Sequence, residues 1–529
     1  MSFAGPFPDV RIPDAGLHEF LFTGLSPADR RRVALTAAES GEQLTYASLV
    51  ASIDAFAREL AAAGVGAGDV VALLHPNAPA FAVGFHGIIR SGAIVTTINV
   101  LATGPEIAKQ LTAAKAMLLV TSRAFLPQAE EAVRSAGLDK AAIVLLDGER
   151  PAYDPSGHPV AVDTRLEPAE RIAVLPFSSG TTSEPKGVML THRNLVANVT
   201  QIAPLLDLRA NDVVLAVLPF FHIYGMTVLM NSALAARSRI VTMTRFDLTG
   251  FLETVQRHRV TYVFIAPPVA VALAKHPLVD DYNLSSLRMM VSGAAPLEEE
   301  LGTTVSKRLS VPVVQGFGMT ELSPVSHLVP TADGGASIAG RRAPIAASGW
   351  PVPNTVNKLV NPATGAEIGV PADGLSEPGE LWVRGPNVMA GYLGNADATA
   401  ETVDADGFLH TGDLARVDST GCVYIVDRIK ELIKYKGYQV PPAELEALLL
   451  THPAIADAAV IGIPDADGEE IPKAFVVTAD ETLTAHEVMT FVAAQVAPYK
   501  KVRAVAFLTA IPKSPAGKIL RKNLRNPIG

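Results

Sequence analysis

Short apolar runs rich in β-branched residues alternate with longer amphipathic stretches along most of the chain, and this alternation restricts the possible folds more than any other feature. DVVALLH (69–75) precedes the helical pattern APAFAVGFHGIIRSG, AIVTTIN (93–99) precedes GPEIAKQLTAAK, and AMLLVTS and AAIVLLD follow. The same rhythm returns in DVVLAVLP, RIVTMTRF, VTYVFIAPP and LRMMVSG. Strands that are separated by helices form βαβ units. We therefore predict an α/β fold built on mostly parallel sheets.

The length and a change in composition predict more than one domain. With 529 residues, the chain exceeds the size at which a single hydrophobic core keeps growing. Glycine-rich and proline-rich segments between 330 and 380 predict loops and hairpins, and hence a β-rich subdomain. Beyond the charged segment DRIKE (427–431), helical and β-like patterns follow each other to the end. We predict a large N-terminal domain at 1–428 and a small α+β domain at 429–529, with the boundary near Arg428 to Lys430.

The overall charge argues against nucleic acid and anionic membrane surfaces as partners. The net charge is −9 and the chain has no basic run longer than three residues, so any phosphate site has to be local. The single cysteine, Cys422, excludes an internal disulfide and a cysteine metal cage, and it suits a reducing compartment. The N-terminal residues do not have the pattern of a signal peptide, and we expect a cytoplasmic protein.

One apolar run is long enough to cross a bilayer. Residues 213–236 carry no formally charged side chain. The middle of the run is interrupted, however, by Pro219, His222, Tyr224 and Gly225. A buried strand, a turn and a buried helix explain the run without a bilayer. We therefore predict no membrane span.

The segment SSGTTSEPKG (178–187) has the composition of a phosphate-binding loop. Such a loop needs small residues whose N–H groups can point inward, hydroxyl donors and one cation. A Walker A loop is excluded because Pro185 occupies the position of its second glycine and Gly187 follows the lysine. Taken alone, the segment is also consistent with an ordinary turn rich in serine, threonine and glycine.

This loop resembles the signature of the adenylate-forming superfamily, which includes acyl-CoA synthetases, luciferases and the adenylation domains of peptide synthetases. Further motifs follow in the order of that superfamily: QGFGMTE (315–321), FLHTGD (408–413), DRIKELIKYKGYQVPPAELE (427–446) and PKSPAGKIL (512–520). LPFFHIYGM (218–226), YNLSSLR with VSGAAPL (282–297) and ELIKYKGYQV (431–440) are most similar to 4-coumarate-CoA ligases and their bacterial relatives. Two positions depart from the common pattern, Ser183 in place of glycine and Phe317 in place of tyrosine.

The resemblance implies a reaction in two halves. A carboxylate attacks the α-phosphorus of ATP, which gives an acyl-adenylate and pyrophosphate, and the thiol of coenzyme A then displaces AMP. The implied cofactors and partners are ATP, Mg²⁺, coenzyme A and a small carboxylic acid. Both halves bring anions together, so positioned cations and dipoles must provide most of the catalysis.

The resemblance also assigns the nucleotide site. It implies that Thr181, Thr182 and Lys186 hold the β- and γ-phosphates, that Thr320 donates to the α-phosphate, and that Glu321 binds Mg²⁺. It places the ribose hydroxyls at Asp413, assisted by Arg428. The other nucleotide-binding residues that it implies are Ser178, Ser179, Gly180, Gln315, Gly316, Phe317, Gly318 and Met319.

Two lysines of the small domain carry the implied chemistry. Lys518 bridges the carboxylate and the α-phosphate during adenylation, so the two domains have to close on each other. Lys434 and Gln439 serve the thioester step, Gly437 admits the pantetheine arm, and Lys430 lies at the hinge, about which the small domain moves. The alternation of lysine and apolar residues in this segment is also consistent with a plain edge strand.

The acid site that the resemblance implies contains a histidine and an apolar wall. His222 lines the carboxylate site and orients the acid without acting as a base. The wall consists of Tyr224, Val228, Val291, Gly293, Ala294, Gly316, Gly318, Pro324 and Val325. Because Val228 and Val291 offer no partner to a phenolic hydroxyl, we expect cinnamate, another weakly substituted aryl acid or a medium-chain fatty acid to be used at least as well as 4-coumarate.

Several alternatives remain open at this stage. The chain could be a medium- or long-chain fatty-acyl-CoA ligase, or an adenylating enzyme that loads a carrier protein. A monooxygenase of the luciferase type carries the same motifs. A nucleotide-sensing protein without turnover is disfavoured by the presence of both Lys518 and Lys434.

Overall fold

The computed structural model describes residues 2–147, 169–178, 185–331, 337–338, 341–435, 438–464, 470–478, 480, 482–515 and 517–525. Fifteen α-helices lie in these residues. They are Leu17–Phe22, Pro27–Arg31, Tyr46–Ala62, Pro79–Arg90, Gly104–Ala114, Leu126–Ser135, His192–Leu206, Ser232–Ala235, Leu248–His258, Pro267–Lys275, Glu299–Leu309, Ala396–Thr402, Pro442–Thr451, Ala485–Ala493 and Arg521–Arg525. Short 3₁₀ turns include Thr320–Leu322 and Ile429–Glu431, and Tyr224–Asn231 is a π-helix.

A nine-stranded sheet forms the centre of the large part of the chain. Its strands run in the spatial order Trp350–Pro351, Val325–Leu328, Val313–Gly318, Met289–Ser292, Tyr262–Ile265, Val213–Ala216, Arg239–Thr242, Val33–Ala37 and Gln43–Thr45. The strands from Val313–Gly318 to Val33–Ala37 are parallel, and those at the two edges are antiparallel. Every residue of Tyr262–Ile265 and Met289–Ser292 is buried, as expected for parallel strands covered on both faces.

A second sheet follows the same plan. It contains Gly391–Tyr392, Lys186–Thr191, Ile172–Val174, Ile94–Thr97, Val70–Leu74, Ala116–Thr121 and Ile143–Leu145 in that order, with Phe177–Ser178 paired to Lys186–Thr191. The strands from Ile172–Val174 to Ile143–Leu145 are parallel. The predicted α/β fold with mostly parallel sheets is therefore confirmed.

The apolar run at 213–236 folds into the predicted buried elements. Val213–Ala216 is a strand of the nine-stranded sheet, a turn follows, and the helical segments Tyr224–Asn231 and Ser232–Ala235 complete the run. Among the described residues, no helix combines the length and the apolar character that a bilayer crossing would need.

The glycine-rich region leads into an antiparallel sheet. Its five strands run in the order Glu367–Ile368, Val356–Val360, Gly379–Arg384, Leu409–Val417 and Val423–Arg428. Leu359, Leu381 and Val423 contribute to a separate hydrophobic cluster beneath this sheet. The predicted β-rich subdomain is present.

The C-terminal residues have their own core. Ile455–Pro464 pairs antiparallel with Glu470–Thr478, which pairs parallel with Ala504–Phe507, and Ile433–Tyr435 forms a hairpin with Tyr438–Val440. Helices Pro442–Thr451 and Ala485–Ala493 cover this sheet, and the second helix begins with a capping box between Thr484 and Glu487. A hydrophobic cluster joins these elements. The division of the chain at 428–430 stays a prediction.

Candidate active site

Several of the predicted site residues follow strands of the nine-stranded sheet at its carboxyl edge. Gly293 and Ala294 directly follow the strand Met289–Ser292, and Thr320 and Glu321 follow Val313–Gly318. His222 lies in the segment that follows Val213–Ala216. Since the carboxyl ends of parallel strands meet at one edge, these loops lie at the edge where open α/β sheets bind their ligands.

Lys186 begins a strand that the sequence patterns did not reveal. Phe177–Ser178 pairs antiparallel with Lys186–Thr191, so that Ser178 is opposite Lys186. The predicted loop residues Ser179, Gly180, Thr181, Thr182 and Ser183 lie outside the described residues. The ammonium nitrogen of Lys186 is 4.8 Å from the centroid of the Tyr392 ring, which makes a cation–π contact.

Glu321 lies in the short turn Thr320–Leu322, and its side chain is buried. One of its carboxylate oxygens, Oε1, accepts a hydrogen bond from the Tyr392 hydroxyl at 2.9 Å. Among the described residues, no group of three or more histidine, cysteine, aspartate or glutamate side chains could hold a metal ion. The chemistry of a buried carboxylate fits Mg²⁺, which takes one or two carboxylates together with phosphate oxygens and water.

The backbone of the segment QGFGM (315–319) lies so close to neighbouring atoms that its two glycines leave little room for a side chain. A Cβ atom on Gly318 would lie 2.2 Å from the Pro324 carbonyl oxygen, and one on Gly316 would lie 2.9 Å from Leu328 Cδ1. The Met319 N–H donates to the same Pro324 carbonyl at 3.1 Å. The Gln315 amide instead donates to the carbonyls of Leu297 and Ile345 and accepts the Leu297 N–H. It fixes the loop that carries Ala294.

Phe317 forms one wall of this segment. Its ring centroid lies 5.9 Å from that of His327 on the neighbouring strand, at an interplanar angle of 57°. The ring is only partly buried against the cluster below the antiparallel sheet. It thus offers an apolar face next to the loops at the carboxyl edge of the sheet. The hydroxyl of the tyrosine that is common at this position is absent.

Asp413 and Arg428 are neighbours across the antiparallel sheet. They are opposite each other in the register, and Arg428 Nε lies 3.3 Å from Asp413 Oδ1. Asp413 Oδ2 is buried without a hydrogen-bond partner among the described residues. Burial raises the Asp413 pKa to about 6, although the charges of Arg428 and Lys518 oppose this shift. An acceptor oxygen without a partner is what a ribose hydroxyl requires.

Lys518 reaches this group from the C-terminal part of the chain. The lysine N–H donates to Ser514 Oγ at 3.1 Å, and its carbonyl accepts the Ser514 N–H at 2.7 Å, so a tight turn presents the side chain. Burial lowers the Lys518 pKa, and the charge of Arg428 lowers it further. Gly517 has a φ of +84°, and a Cβ there would lie 3.0 Å from Ala266 Cβ, so the turn packs against the large part of the chain.

His222 faces Lys518. Its pKa is lowered to about 4, first by burial and then by the positive charge of Lys518. Its Nδ1 atom accepts the Tyr224 N–H at 3.3 Å. The imidazole is therefore neutral near pH 7, which agrees with an orienting role and not with that of a cation.

Part of the predicted acid wall belongs to one large hydrophobic cluster. Val228, Val291 and Val325 belong to it, and Tyr224 packs against it. The Tyr224 hydroxyl donates to the Val291 carbonyl at 3.2 Å. The Tyr224 ring also packs against Gly293, since a Cβ atom on Gly293 would lie 2.8 Å from Tyr224 Cε1. Pro324 is buried beside this cluster and Ala294 is exposed at its edge.

Lys434 lies apart from the other catalytic candidates. It is exposed, it pairs in register with Gln439, and its N–H donates to Glu470 Oε2 at 2.8 Å. Within the described part of the chain, no hydrogen bond or ion pair joins it to Lys518, His222 or Asp413. Gly437 lies outside the described residues.

Two side chains at the site were not predicted from the sequence. Tyr392 contacts both Lys186 and Glu321, and Ser514 holds the turn that carries Lys518. Ser514 lies within the motif PKSPAGKIL, so the motif could have pointed to it. Tyr392 lies in AGYLGN, which carries no signal of its own, and its role depends on strand pairing.

The fold and this collection of cations, carboxylates and a histidine define an adenylate-forming ligase. The chain belongs to the family of AMP-binding enzymes: the family model described as AMP-binding enzyme matches residues 26–393, and the model of the C-terminal domain of AMP-binding enzymes matches residues 444–518. The predicted superfamily is confirmed.

Relatives extend this assignment over nearly the whole chain. The 4-coumarate-CoA ligase 5 of Oryza sativa subsp. japonica is 44% identical over 543 aligned positions, which cover 99% of this chain and 96% of the relative. The protein is accordingly an AMP-forming acyl-CoA ligase, which uses ATP to activate a carboxylic acid and then transfers the acyl group to coenzyme A.

Solved structures agree with the described arrangement. ATP-bound MatB from Rhodopseudomonas palustris is 28% identical and has a TM-score of 0.85 over 97% of this chain and 99% of its own. The apo form of MatB, with the same coverage, has a TM-score of 0.73. The anthranilate CoA ligase AuaEII in complex with anthranoyl-AMP is 26% identical, with a TM-score of 0.85 over 98% of both chains.

Proposed function

We propose that Lys518, His222, Asp413 and Arg428 form the adenylation centre of this ligase. The observation that carries the proposal is that the turn of Lys518 packs against the large part of the chain at Ala266, while Arg428 and Asp413 pair at 3.3 Å and the charge of Lys518 acts on both His222 and Asp413. A cation at this position would stabilise the negative charge that develops between the carboxylate and the α-phosphate. Asp413 would hold the ribose hydroxyls, and neutral His222 would orient the acid.

The phosphates would lie between Lys186 and Glu321. Lys186, together with Thr181 and Thr182 of the loop, would bind the β- and γ-phosphates, and Thr320 would donate to the α-phosphate. Glu321 would provide one carboxylate ligand to Mg²⁺, which when bound neutralises charge on the phosphate oxygens. The buried position of Glu321 beside Lys186 and Tyr392 supports this assignment.

The second half-reaction would use the hairpin that carries Lys434. Lys434 and Gln439 would meet the thiol and the adenylate only after the small domain, residues 429–529, has turned about Lys430. The exposure of Lys434 and its separation from Lys518 support two alternating arrangements.

A pair of variants tests this division. Lys518→Ala should abolish adenylate formation and leave a supplied acyl-adenylate able to react with coenzyme A, since only the first half needs this cation. Lys434→Ala should mainly slow the second half, and each loss should be on the order of 10²-fold. Pyrophosphate release and thioester formation are measured separately. Equal loss of both steps in both variants would contradict the proposal.

We infer that the acid is an aryl acid with few polar substituents. The rice relative is a ligase of 4-coumarate and AuaEII is a ligase of anthranilate, which supports an aromatic acid. Val228 and Val291 are both 2% exposed and contribute only apolar atoms, so a phenolic hydroxyl would lose its hydration without gaining a partner there.

Competition among acids tests the inference. The values of kcat/KM for cinnamate, benzoate, octanoate and 4-coumarate should place cinnamate at or above 4-coumarate. A preference of about tenfold for 4-coumarate would contradict it, since one satisfied hydrogen bond in the pocket is worth that factor or more. Thioester formation with octanoate alone would favour the alternative of a medium-chain fatty-acyl-CoA ligase.

A further inference from the structure

The segment Met389–Leu393, here called the strap, connects two parts of the phosphate site that lie far apart in sequence. The Met389 N–H donates to the Glu321 carbonyl at 2.9 Å. The Ala390 N–H donates to the Met189 carbonyl at 2.9 Å, and the Leu393 N–H donates to the Gly187 carbonyl at 2.8 Å. The strap is therefore bonded at one end to the turn that carries Glu321 and along its length to the strand that begins at Lys186.

Tyr392 repeats this connection with its side chain. The hydroxyl donates to Glu321 Oε1 at 2.9 Å, and the ring face lies 4.8 Å below the Lys186 ammonium nitrogen. The residue is 7% exposed.

The backbone at the strap favours this placement. Gly391 has a φ of +139°, which an L side chain rarely adopts, and a Cβ there would lie 2.8 Å from Thr399 Cγ2. The Thr399 hydroxyl accepts the Tyr392 N–H at 2.9 Å. Contacts with the strand Lys186–Thr191, with the helix Ala396–Thr402 and with Glu321 thus hold the Tyr392 ring in place.

The Tyr392 side chain contacts both the Lys186 ammonium and the Glu321 carboxylate. Within the described residues, Lys186 and Glu321 do not form an ion pair with each other, and the tyrosine occupies a contact with each of them. A direct lysine–glutamate pair would engage the ammonium and the carboxylate with each other and leave both less accessible to phosphate oxygens and to a cation. With the ring in place, the ammonium of Lys186 and the carboxylate of Glu321 each contact the tyrosine instead of each other.

We propose that Tyr392 is a positioning residue that holds Lys186 and Glu321 at a fixed separation, so that the phosphates and their magnesium ion bind together. This inference rests on the proposed roles of Lys186 and Glu321. Neither the phosphate loop motif nor the segment GMTE includes the strap, which lies about 70 residues beyond Glu321 in the sequence.

Variants at Tyr392 separate its two contacts. Tyr392→Phe removes the hydroxyl and keeps the ring, whereas Tyr392→Leu removes both. Binding of ATP by the full-length protein is measured by calorimetry without acid, over a range of free Mg²⁺. For Tyr392→Phe we expect the Mg²⁺ concentration at half-maximal ATP binding to rise about tenfold, with near-normal affinity at saturating Mg²⁺. For Tyr392→Leu we expect weaker ATP binding at every Mg²⁺ concentration.

AMP and a second tyrosine provide the controls. AMP lacks the β- and γ-phosphates, so its affinity should stay within about twofold in both variants. Tyr46→Phe is matched, because the buried Tyr46 also donates its hydroxyl, to the Ser238 carbonyl at 2.9 Å, and has Arg237 over its ring at 5.9 Å. It should leave the Mg²⁺ dependence unchanged. Unfolding temperatures of all three variants report on the fold.

A double-mutant cycle distinguishes this inference from the proposed function. If Tyr392 acts through Glu321, Tyr392→Phe should add little to the loss caused by Glu321→Ala. A wild-type Mg²⁺ requirement in Tyr392→Phe, or an equal loss of AMP affinity, would overturn the positioning role. Unchanged Mg²⁺ dependence in Glu321→Ala would instead overturn the metal role of Glu321 itself.

Discussion

At the scale of single residues, Asp413 links nucleotide binding to pH. Its pKa of about 6 lies above the ordinary aspartate value of 3.8 because the carboxylate is buried. The folded, ligand-free protein therefore keeps the Asp413 proton up to about pH 6, and the charged acceptor predominates above that pH. Charge-assisted hydrogen bonds to the ribose should weaken as the pH falls through 6.

A comparison of two nucleotides isolates this effect. Both ATP and 2′,3′-dideoxy-ATP carry the same titrating phosphates, but only ATP offers the ribose hydroxyls. We expect the preference for ATP, measured as the ratio of the two Kd values, to be about tenfold or more at pH 8 and to fall towards one at pH 5. In Asp413→Asn the ratio should be small and independent of pH. A constant ratio in the wild-type protein would contradict the prediction.

Motifs in the sequence predict the charged residues of the proposed site but not their surroundings. Lys518, Asp413 and Glu321 stand in recognisable motifs, whereas Tyr392 depends on the pairing of Gly391–Tyr392 with Lys186–Thr191. Gln315 was predicted to bind the nucleotide, but the structure engages its amide with Leu297 and Ile345. Hydrogen bonds between residues remote in sequence leave no local pattern.

At the scale of elements, the strand Met289–Ser292 and the π-helix Tyr224–Asn231 would together shape the proposed acid pocket. Gly293 leaves the space that the Tyr224 ring fills, since a Cβ at Gly293 would lie 2.8 Å from Tyr224 Cε1. Gly293→Ala should therefore push the ring into the pocket and break its 3.2 Å hydrogen bond to the Val291 carbonyl. We expect kcat/KM for aryl acids to fall by about tenfold or more.

The nucleotide should not respond to this change. The affinity of Gly293→Ala for ATP should stay within about twofold of the wild-type value. The reason is that Tyr224 belongs to the proposed acid wall and not to the proposed nucleotide site. Gly66→Ala is the matched control, since its nearest neighbour, Asp69 Oδ2, would lie 3.9 Å from the new methyl group. Undiminished turnover of bulky aryl acids by Gly293→Ala would show that the ring does not bound the pocket.

Periodicity predicted most elements but not these irregular ones. The strands Val70–Leu74 and Ile94–Thr97 and the helix Gly104–Ala114 lie where alternating patterns placed them. The run at 213–236 was resolved correctly into strand, turn and helix, yet nothing in its uniform apolar sequence distinguishes a π-helix from an α-helix. Short antiparallel edge strands such as Trp350–Pro351 have too few residues to show a period.

At the scale of the whole molecule, one helix contacts the C-terminal part at both of its ends. Pro267–Lys275 begins beside Gly517, whose missing Cβ would lie 3.0 Å from Ala266. At its other end, the Lys275 ammonium donates to the Ile455 carbonyl at 2.9 Å and to the Leu450 carbonyl at 3.2 Å. These bonds hold the arrangement in which Lys518 meets His222, and an arrangement with Lys434 at the site would have to break them.

Lys275 should therefore favour the first half-reaction over the second. Because the lysine is exposed, its two hydrogen bonds should bias the equilibrium by about 1 kcal/mol, and Lys275→Met should slow acyl-adenylate formation by roughly fivefold. Thioester formation from a supplied acyl-adenylate should be unchanged or faster, since the competing arrangement is weakened. Lys140→Met, which removes only a surface pair with Glu130, is the control and should alter neither step. If Lys275→Met slowed both half-reactions equally, the helix would be a passive support, and the arrangement around Lys518 would have to be held by other contacts.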